Sequence, residues 1–412
     1  MAQLPYLTAD VPGIGGQIKQ RAEDFFVQEI PLYEPTGEGE HVYCEVEKIG
    51  IPTFNAVDQL GRALNVHPRD IGYAGLKDAA AISRQIFSIL GTTEEAVMNL
   101  HLPNMTIKWA ARHGNKLRLG HLRGNRFAIK IRDVEPSAVV KLSPVVRRLR
   151  EHGMPNYFGE QRFGRRGNNH LLGAALLRGD DMGVLKLLLG SANLKLDNPQ
   201  QRAAREAFDR GEPEIAMKHW PRASGTERRI LARYIKTKRP GQGVRLVEER
   251  VRRLWVSALQ SQAFNDVVAA RIGSLDRVLN GDLAEKRENG AVFLVEDAAV
   301  EQPRCDALEI SPTGPLVGYR MTQPQGEALA IEATVLERHG LKPGDFRVEG
   351  KHKVKGARRA LRVIPEDVEL SGGVDDAGPY ITVAFTLPAG SFATMFLREL
   401  TKNENTVADD AD

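Results

Sequence analysis

The chain has 412 residues, enough for two or three domains, and its 42% hydrophobic and 27% charged residues are the composition of a protein with a packed core. No stretch approaches the roughly 20 apolar residues of a membrane span, and the opening MAQLPYLTADVPGIGG has neither the basic start nor the apolar run of a secretory signal, so a cytoplasmic location is expected. Cys44 and Cys305 alone cannot form a disulfide framework or a thiolate metal site, and the ten histidines lack ligand-like spacing, so no metal site is expected.

The net charge of +4 hides a strong segregation. Residues 112–132 carry seven Lys or Arg and no acidic residue, and residues 221–253 carry eleven against Glu227, Glu248 and Glu249. A shorter basic block, KHKVKGARRALR, spans 351–362. Concentrated positive charge is the footprint of a polyanion partner such as nucleic acid; a single such block is more often a solvated surface, and the three together weigh evenly between the two readings.

In chain order, HVYCEVE (41–47) alternates Val42, Cys44 and Val46 with polar neighbours, as a half-buried strand does. Residues 53–66 read as a helix capped by Thr53, with Phe54, Val57, Leu60 and Leu64 along one face. The glycine-punctuated DIGYAGLKD (70–78) precedes a strand candidate, ISRQIFSIL (82–90). RFAIKIRDV (126–134) alternates Phe127, Ile129 and Ile131 with Arg126, Lys130 and Arg132, a strand with one apolar and one basic face. A helix is expected over 138–151, stopping near Gly153. From about 168 to 272 the periodicity is helical, and strand character returns in YITVAFTLPAG (380–390) before a short helix in SFATMFLREL. Strands before 135 and after 379, with helices between, indicate an α+β domain interrupted by a largely helical insertion. GIGG (13–16) has no strand before it and reads as a flexible entry to the first strand rather than a phosphate loop.

Read singly, the candidate site residues have structural explanations. Asp78 beside Lys77 suits a turn, Asn125 suits the residue before a strand, and Phe127 and Phe392 suit core packing. Read together they point elsewhere. IKQRAEDFFVQEIP (18–31), GYAGLKDAAAISRQ (72–85), LRLGHLRGNRFAIKIR (117–132), PNYFGEQRFG (155–164), SALQSQAFN (257–265) and LPAGSFATMFLREL (387–400) occur in the order found in the tRNA pseudouridine synthase D family. The chain resembles that family over nearly its whole length.

The resemblance implies a cofactor-free isomerase of RNA modification, converting a uridine of tRNA, typically position thirteen in the D arm, to pseudouridine. It implies a pseudouridine synthase catalytic domain with a mixed or antiparallel sheet, formed by 1–152 together with 364–400. An inserted TRUD domain would span 153–363, and 401–412 would be a disordered acidic tail. Carried over residue by residue, Asp78 matches the catalytic aspartate and Lys19 a supporting cation near the pocket. Phe25, Asn125, Phe127 and Phe392 match nucleotide-binding positions, Phe127 being the one that stacks on the flipped base. Ala79 and Ala80 depart from the bulkier or basic residues that many members carry after the aspartate.

The chemistry suits these residue types. Breaking the N1–C1′ bond, turning the uracil and rejoining it through C5 needs no redox step. An ionised carboxylate can attack and later leave, and a cation such as Lys19 would keep it ionised. Attack at uracil C6, attack at ribose C1′ and proton abstraction to a glycal all remain open. Extruding the base costs a few kcal/mol, which aromatic stacking worth roughly 1–3 kcal/mol per base offsets. Arg228, Arg229, Arg233, Lys236, Lys238 and Arg239 are the candidate RNA-backbone contacts. No membrane and no obligatory protein partner is expected. Rival readings are a non-catalytic tRNA-binding protein on the same scaffold and a nucleoside hydrolase.

Overall fold

The computed structural model describes residues 4–77, 80–347 and 353–403. Asp78 and Ala79, Lys351 and His352, and residues 404–412 lie outside the described residues. In chain order the first elements are β1 (Phe25–Pro31), β2 (His41–Ile49), α1 (Thr53–Leu64), β3 (Ile71–Tyr73), β4 (Ile82–Leu90), α2 (Glu94–Met98), β5 (Met105–His113), β6 (Leu122–Arg132), α3 (Val139–His152) and β7 (Met154–Pro155). The middle of the chain adds α4 (Asn169–Leu177), α5 (Asp181–Leu189), α6 (Pro199–Asp209), α7 (Pro213–His219), α8 (Gly225–Thr237), α9 (Pro240–Val244) and α10 (Glu249–Ala270). It continues through β8 (Leu283–Lys286), β9 (Val292–Leu294), α11 (Ala298–Asp306), β10 (Ile310–Leu316), α12 (Gly326–Arg338) and β11 (Ala357–Ala360). The last elements are β12 (Arg362–Val363), β13 (Glu366–Asp375), β14 (Gly378–Pro388) and α13 (Ala393–Thr401).

Two compact units emerge. One comprises Tyr6–Pro155 together with the chain from Arg362, and the other comprises Asn156–Leu361 together with the first residues through Pro5. The architecture is α+β.

The outer unit is built on one mixed eight-stranded sheet of order β13-β14-β6-β1-β4-β2-β5, with β3 also paired to β4. Only β1 and β4 run parallel. Alternation assigns the faces. Val42, Cys44, Val46, Phe87 and Ile89 point to one face and pack with Ala56, Val57 and Leu60 of α1. On β14 of the same face, Phe385 meets Phe396 of α13, with ring centroids 4.4 Å apart. The opposite face carries a smaller cluster of Tyr43, Ala74, Ile86 and Leu117. That second cluster is why β2 is buried along nearly its whole length rather than on alternate residues. Arg132, expected on an exposed basic face, is buried and ion-paired to Asp24 and Asp375.

Three local expectations are corrected. Thr53 does not cap α1: Pro52 holds that position and makes no side-chain cap. The hydroxyl of Thr53 is committed to the loop before Asp78 instead, as described below. Phe54 is not on the buried face but 59% exposed. GIGG is not a loose entry segment either, since the Ile14 and Gly15 amides donate to the Leu400 and Thr401 carbonyls at the end of α13. Gly16 there has φ +88°, and a Cβ would meet Ile131 and Val134 within 2.6 Å.

The inner unit has helices α4–α10, as the periodicity indicates, but it also holds a four-stranded sheet of order β11-β10-β8-β9. Three of these strands have only three or four residues and β10, ISPTGPL, carries two prolines and a glycine, so their alternation is weak. Two of the six motifs meet here. The Asn265 amide on α10 donates to the Phe158 carbonyl (3.0 Å) and its oxygen accepts from the Phe158 amide (2.8 Å).

Candidate functional site

The sheet forks beside β4. Along its first half β4 pairs with β1 (Gln28 opposite Arg84), and along its second half it pairs with β3 (Tyr73 opposite Phe87). At the gap between these partners the Ile86 amide has no neighbouring strand. The Glu29 carboxylate fills the place, accepting from that amide at 3.1 Å. Glu29 follows Phe25 and Val27 on the inward side of β1, and all three are buried. A carboxylate there needs a cation, because an uncompensated buried charge costs several kcal/mol. Lys77 supplies it, with Nζ 2.8 Å from Glu29 Oε1 and both side chains almost sealed from solvent.

The loop after β3 passes through this fork. Ala74 packs with Tyr43 and Ile86 on the far face, while the Lys77 amide donates to Thr53 Oγ1 (2.9 Å) at the start of α1 on the near face. Thr53 donates in turn to Gln85 Oε1 (3.0 Å), and Gln85 Nε2 donates to the Gly75 carbonyl (2.7 Å). The approach at Gly75 is close: a Cβ would lie 3.1 Å from Glu29 Oε1 and 3.3 Å from Lys77 Nζ, so a larger residue would press on that ion pair. The loop is therefore anchored at the Gly75 carbonyl and at the Lys77 amide and ammonium, immediately before Asp78.

Lys77 Nζ also donates to Asn125 Oδ1 at 3.0 Å. Asn125 stands opposite Glu29 in the β1–β6 ladder, with Phe127 opposite Val27 and Ile129 opposite Phe25. Asn125, Phe127, Phe25, Glu29 and Lys77 thus share one sheet face, between the helices packed on β2–β4 and on β14. Lys19 lies over the Phe25 ring (5.0 Å to the centroid) in a left-handed backbone conformation, φ +59°. Phe25 meets Phe127 edge-on at 6.3 Å, and Phe127 stacks on Phe385 at 5.2 Å.

The expected site residues thus fall into two groups. Lys19, Phe25 and Phe127 form one, and Asn125 with its lysine forms the other. Phe127 is only 7% exposed. Phe392 is half-buried and is the N-cap residue of α13. Glu29 and Lys77 were missed. The signal for Glu29 was present, as a carboxylate in phase with two inward-facing apolar residues on a strand. No combination of three or more His, Cys, Asp and Glu suited to a metal occurs among the described residues.

The basic blocks divide sharply. Within 112–132, Lys130 and Arg132 pair with Asp375, Lys116 donates to the Arg69 carbonyl, and Arg118, Arg123 and Arg126 are exposed. In the third block Arg358 is clamped on Glu332 and Arg362 is buried and donates to the His152 carbonyl. On α8, Arg228 is half-buried and donates to the Met217 and Trp220 carbonyls (3.1 and 2.7 Å) at the end of α7. Arg229, Arg233 and Lys236, spaced i, i+4, i+7, form an exposed stripe along one side of α8. Lys238 is exposed and pairs with Glu214, and Arg239 is exposed.

The family model described as tRNA pseudouridine synthase D (TruD) matches residues 2–400. The chain belongs to that family. It is 47% identical over 398 residues to tRNA pseudouridine synthase D of Geobacter metallireducens, covering 96% of this chain and 97% of that protein. It is 38% identical over 403 residues to the protein of that name from Thermus thermophilus, covering 97% of this chain and 92% of the relative. Its fold matches a crystal structure from Methanosarcina mazei, provisionally assigned as a tRNA pseudouridine synthase D, with TM-score 0.84 and 28% identity. That match covers 97% of this chain and 96% of the other. The inner unit lies within the family match, so it is part of what the family shares.

Proposed function

We propose that this chain is an isomerase that converts a uridine of tRNA to pseudouridine, at position thirteen of the D arm, with Asp78 as the nucleophile. The observation that supports this reading most is the anchoring of Lys77 between Glu29 and Asn125. The residue before Asp78 is held by a buried ion pair, a side-chain amide and a helix-terminal hydroxyl. Such rigid support is what a nucleophile needs if its reach to a sugar or base carbon is to be reproducible.

The reaction exchanges one bond for another. The N1–C1′ bond breaks, the freed uracil turns, C5 bonds to C1′, and the C5 proton passes to solvent while N1 takes up a proton in exchange. The uridine is first drawn out of the folded tRNA at a cost of a few kcal/mol. Phe25 and Phe127 give that base an aromatic surface, and Lys19 beside them keeps the neighbourhood positive and the carboxylate ionised. The outer unit carries out the chemistry and the inner unit contributes the basic stripe of α8 to tRNA backbone binding.

The test is incubation with tRNA bearing tritium at uracil C5. Tritium release with the uracil still bound to the RNA is expected. Free uracil would identify a hydrolase, and tRNA binding with neither product would identify a binding protein.

A further inference from the structure

The contact between Lys77 and Asn125 fixes more than position. A lysine ammonium only donates hydrogen bonds, so the Asn125 atom facing it must be the carbonyl oxygen, and the –NH2 is turned away from it. The lysine cannot turn to another partner without leaving Glu29 uncompensated in the fork. Asn125 is half-buried, and its Nδ2 makes no hydrogen bond to any described residue. An asparagine is ordinarily ambiguous, able to offer either a donor or an acceptor. Here the ambiguity is removed, and the amide presents N–H donors alone.

We propose that Lys77 is a positioning residue that sets base specificity: by occupying the Asn125 carbonyl oxygen it makes the site accept a ring carbonyl, as uracil carries at C4, and reject an amine, as cytosine carries there. The proposal rests on the uridine-isomerase reading above and adds the group that distinguishes the two pyrimidines. A neutral amide donor matches a neutral carbonyl, and a cytosine amine facing it would leave donors opposed and unpaired, the arrangement that polar sites discriminate against most strongly. Glu29 acts one step further back, holding the lysine.

The experiment measures affinity for tRNA with uridine or cytidine at the target position, in an Asp78→Asn background so that nothing turns over. The quantity read is the change in the uridine-to-cytidine affinity ratio on mutation, which cancels differences intrinsic to the two RNAs. The parent should favour uridine by about tenfold or more. Lys77→Met frees the amide to flip and should bring the ratio close to one. Because that variant orphans Glu29, Glu29→Gln/Lys77→Met is measured beside it and should give the same loss, with melting curves for both. Asn125→Asp keeps an oxygen on Lys77 but presents an acceptor outward, and should invert the preference toward cytidine. A parent preference for uridine that survives in all three variants overturns the proposal. So does an equal loss of affinity for both RNAs, which would make Lys77 a direct RNA contact. Failure of the wild-type chain to release tritium from C5-labelled tRNA would instead strike the isomerase reading, a separate and distinguishable result.

Discussion

Phe127 and Phe385 lie nearly parallel on adjacent strands, with ring centroids 5.2 Å apart and planes 25° apart. One face of Phe127 is therefore occupied, and its flank is taken by the edge of Phe25. A base that stacks on Phe127 must use what remains, and the ring also belongs to the core. Phe127→Ala should lower stability by about 3–5 kcal/mol and slow the single-turnover step by about 5- to 150-fold through lost stacking. Phe127→Leu separates the two roles. It keeps most of the buried volume, so melting should move little while the single-turnover rate still falls.

The α8 stripe separates holding RNA from changing it. Replacing Arg229, Arg233 and Lys236 with Gln should flatten the slope of log affinity against log salt by about two to three units, and turnover with saturating tRNA should be unchanged. Arg228→Gln should behave differently, since its guanidinium bonds the Met217 and Trp220 carbonyls. It should lower the melting temperature of the protein and leave the salt slope intact. Filter binding across a salt series together with melting curves distinguishes the two sets. An unchanged slope in the triple variant would shift the RNA path to the exposed Arg118, Arg123 and Arg126.

His170, on α4, has its imidazole held to about 4 by burial, with the nearby His339 acting in the same direction. The folded inner unit thus resists a proton that the unfolded chain takes up near its ordinary pKa of about 6.5. Stability is complete above that value and falls as pH drops from about 6.5 to about 4, by on the order of 2 kcal/mol once partial exposure is discounted. His170→Gln, neutral throughout, should show a flatter dependence of melting temperature on pH across that window.

The sequence was legible where a local signal was strong. The alternation of Phe127, Ile129 and Ile131 marks β6, ISRQIFSIL coincides with β4, and the glycine at 153 ends α3 with φ +82°. The fork was not legible, because β3 has three residues and its pairing to β4 is a tertiary fact. Thr53 illustrates the same limit. Its position at the start of a helix suggests a cap, but a competing partner, the Lys77 amide, takes the hydroxyl. Buried arginines such as Arg132 and Arg362 read as surface charge until their partners, hundreds of residues away in two cases, are brought beside them.

Asp78→Asn is the direct test of whether Asp78 performs the isomerisation. The substitution retains size and most hydrogen bonding and removes the negative charge. With C5-tritiated tRNA, the purified variant should bind with wild-type affinity and salt dependence and release no tritium above background, while the wild type releases tritium and forms pseudouridine. Tritium release by a correctly folded Asp78→Asn protein at a substantial fraction of the wild-type rate would rule out Asp78 as the nucleophile.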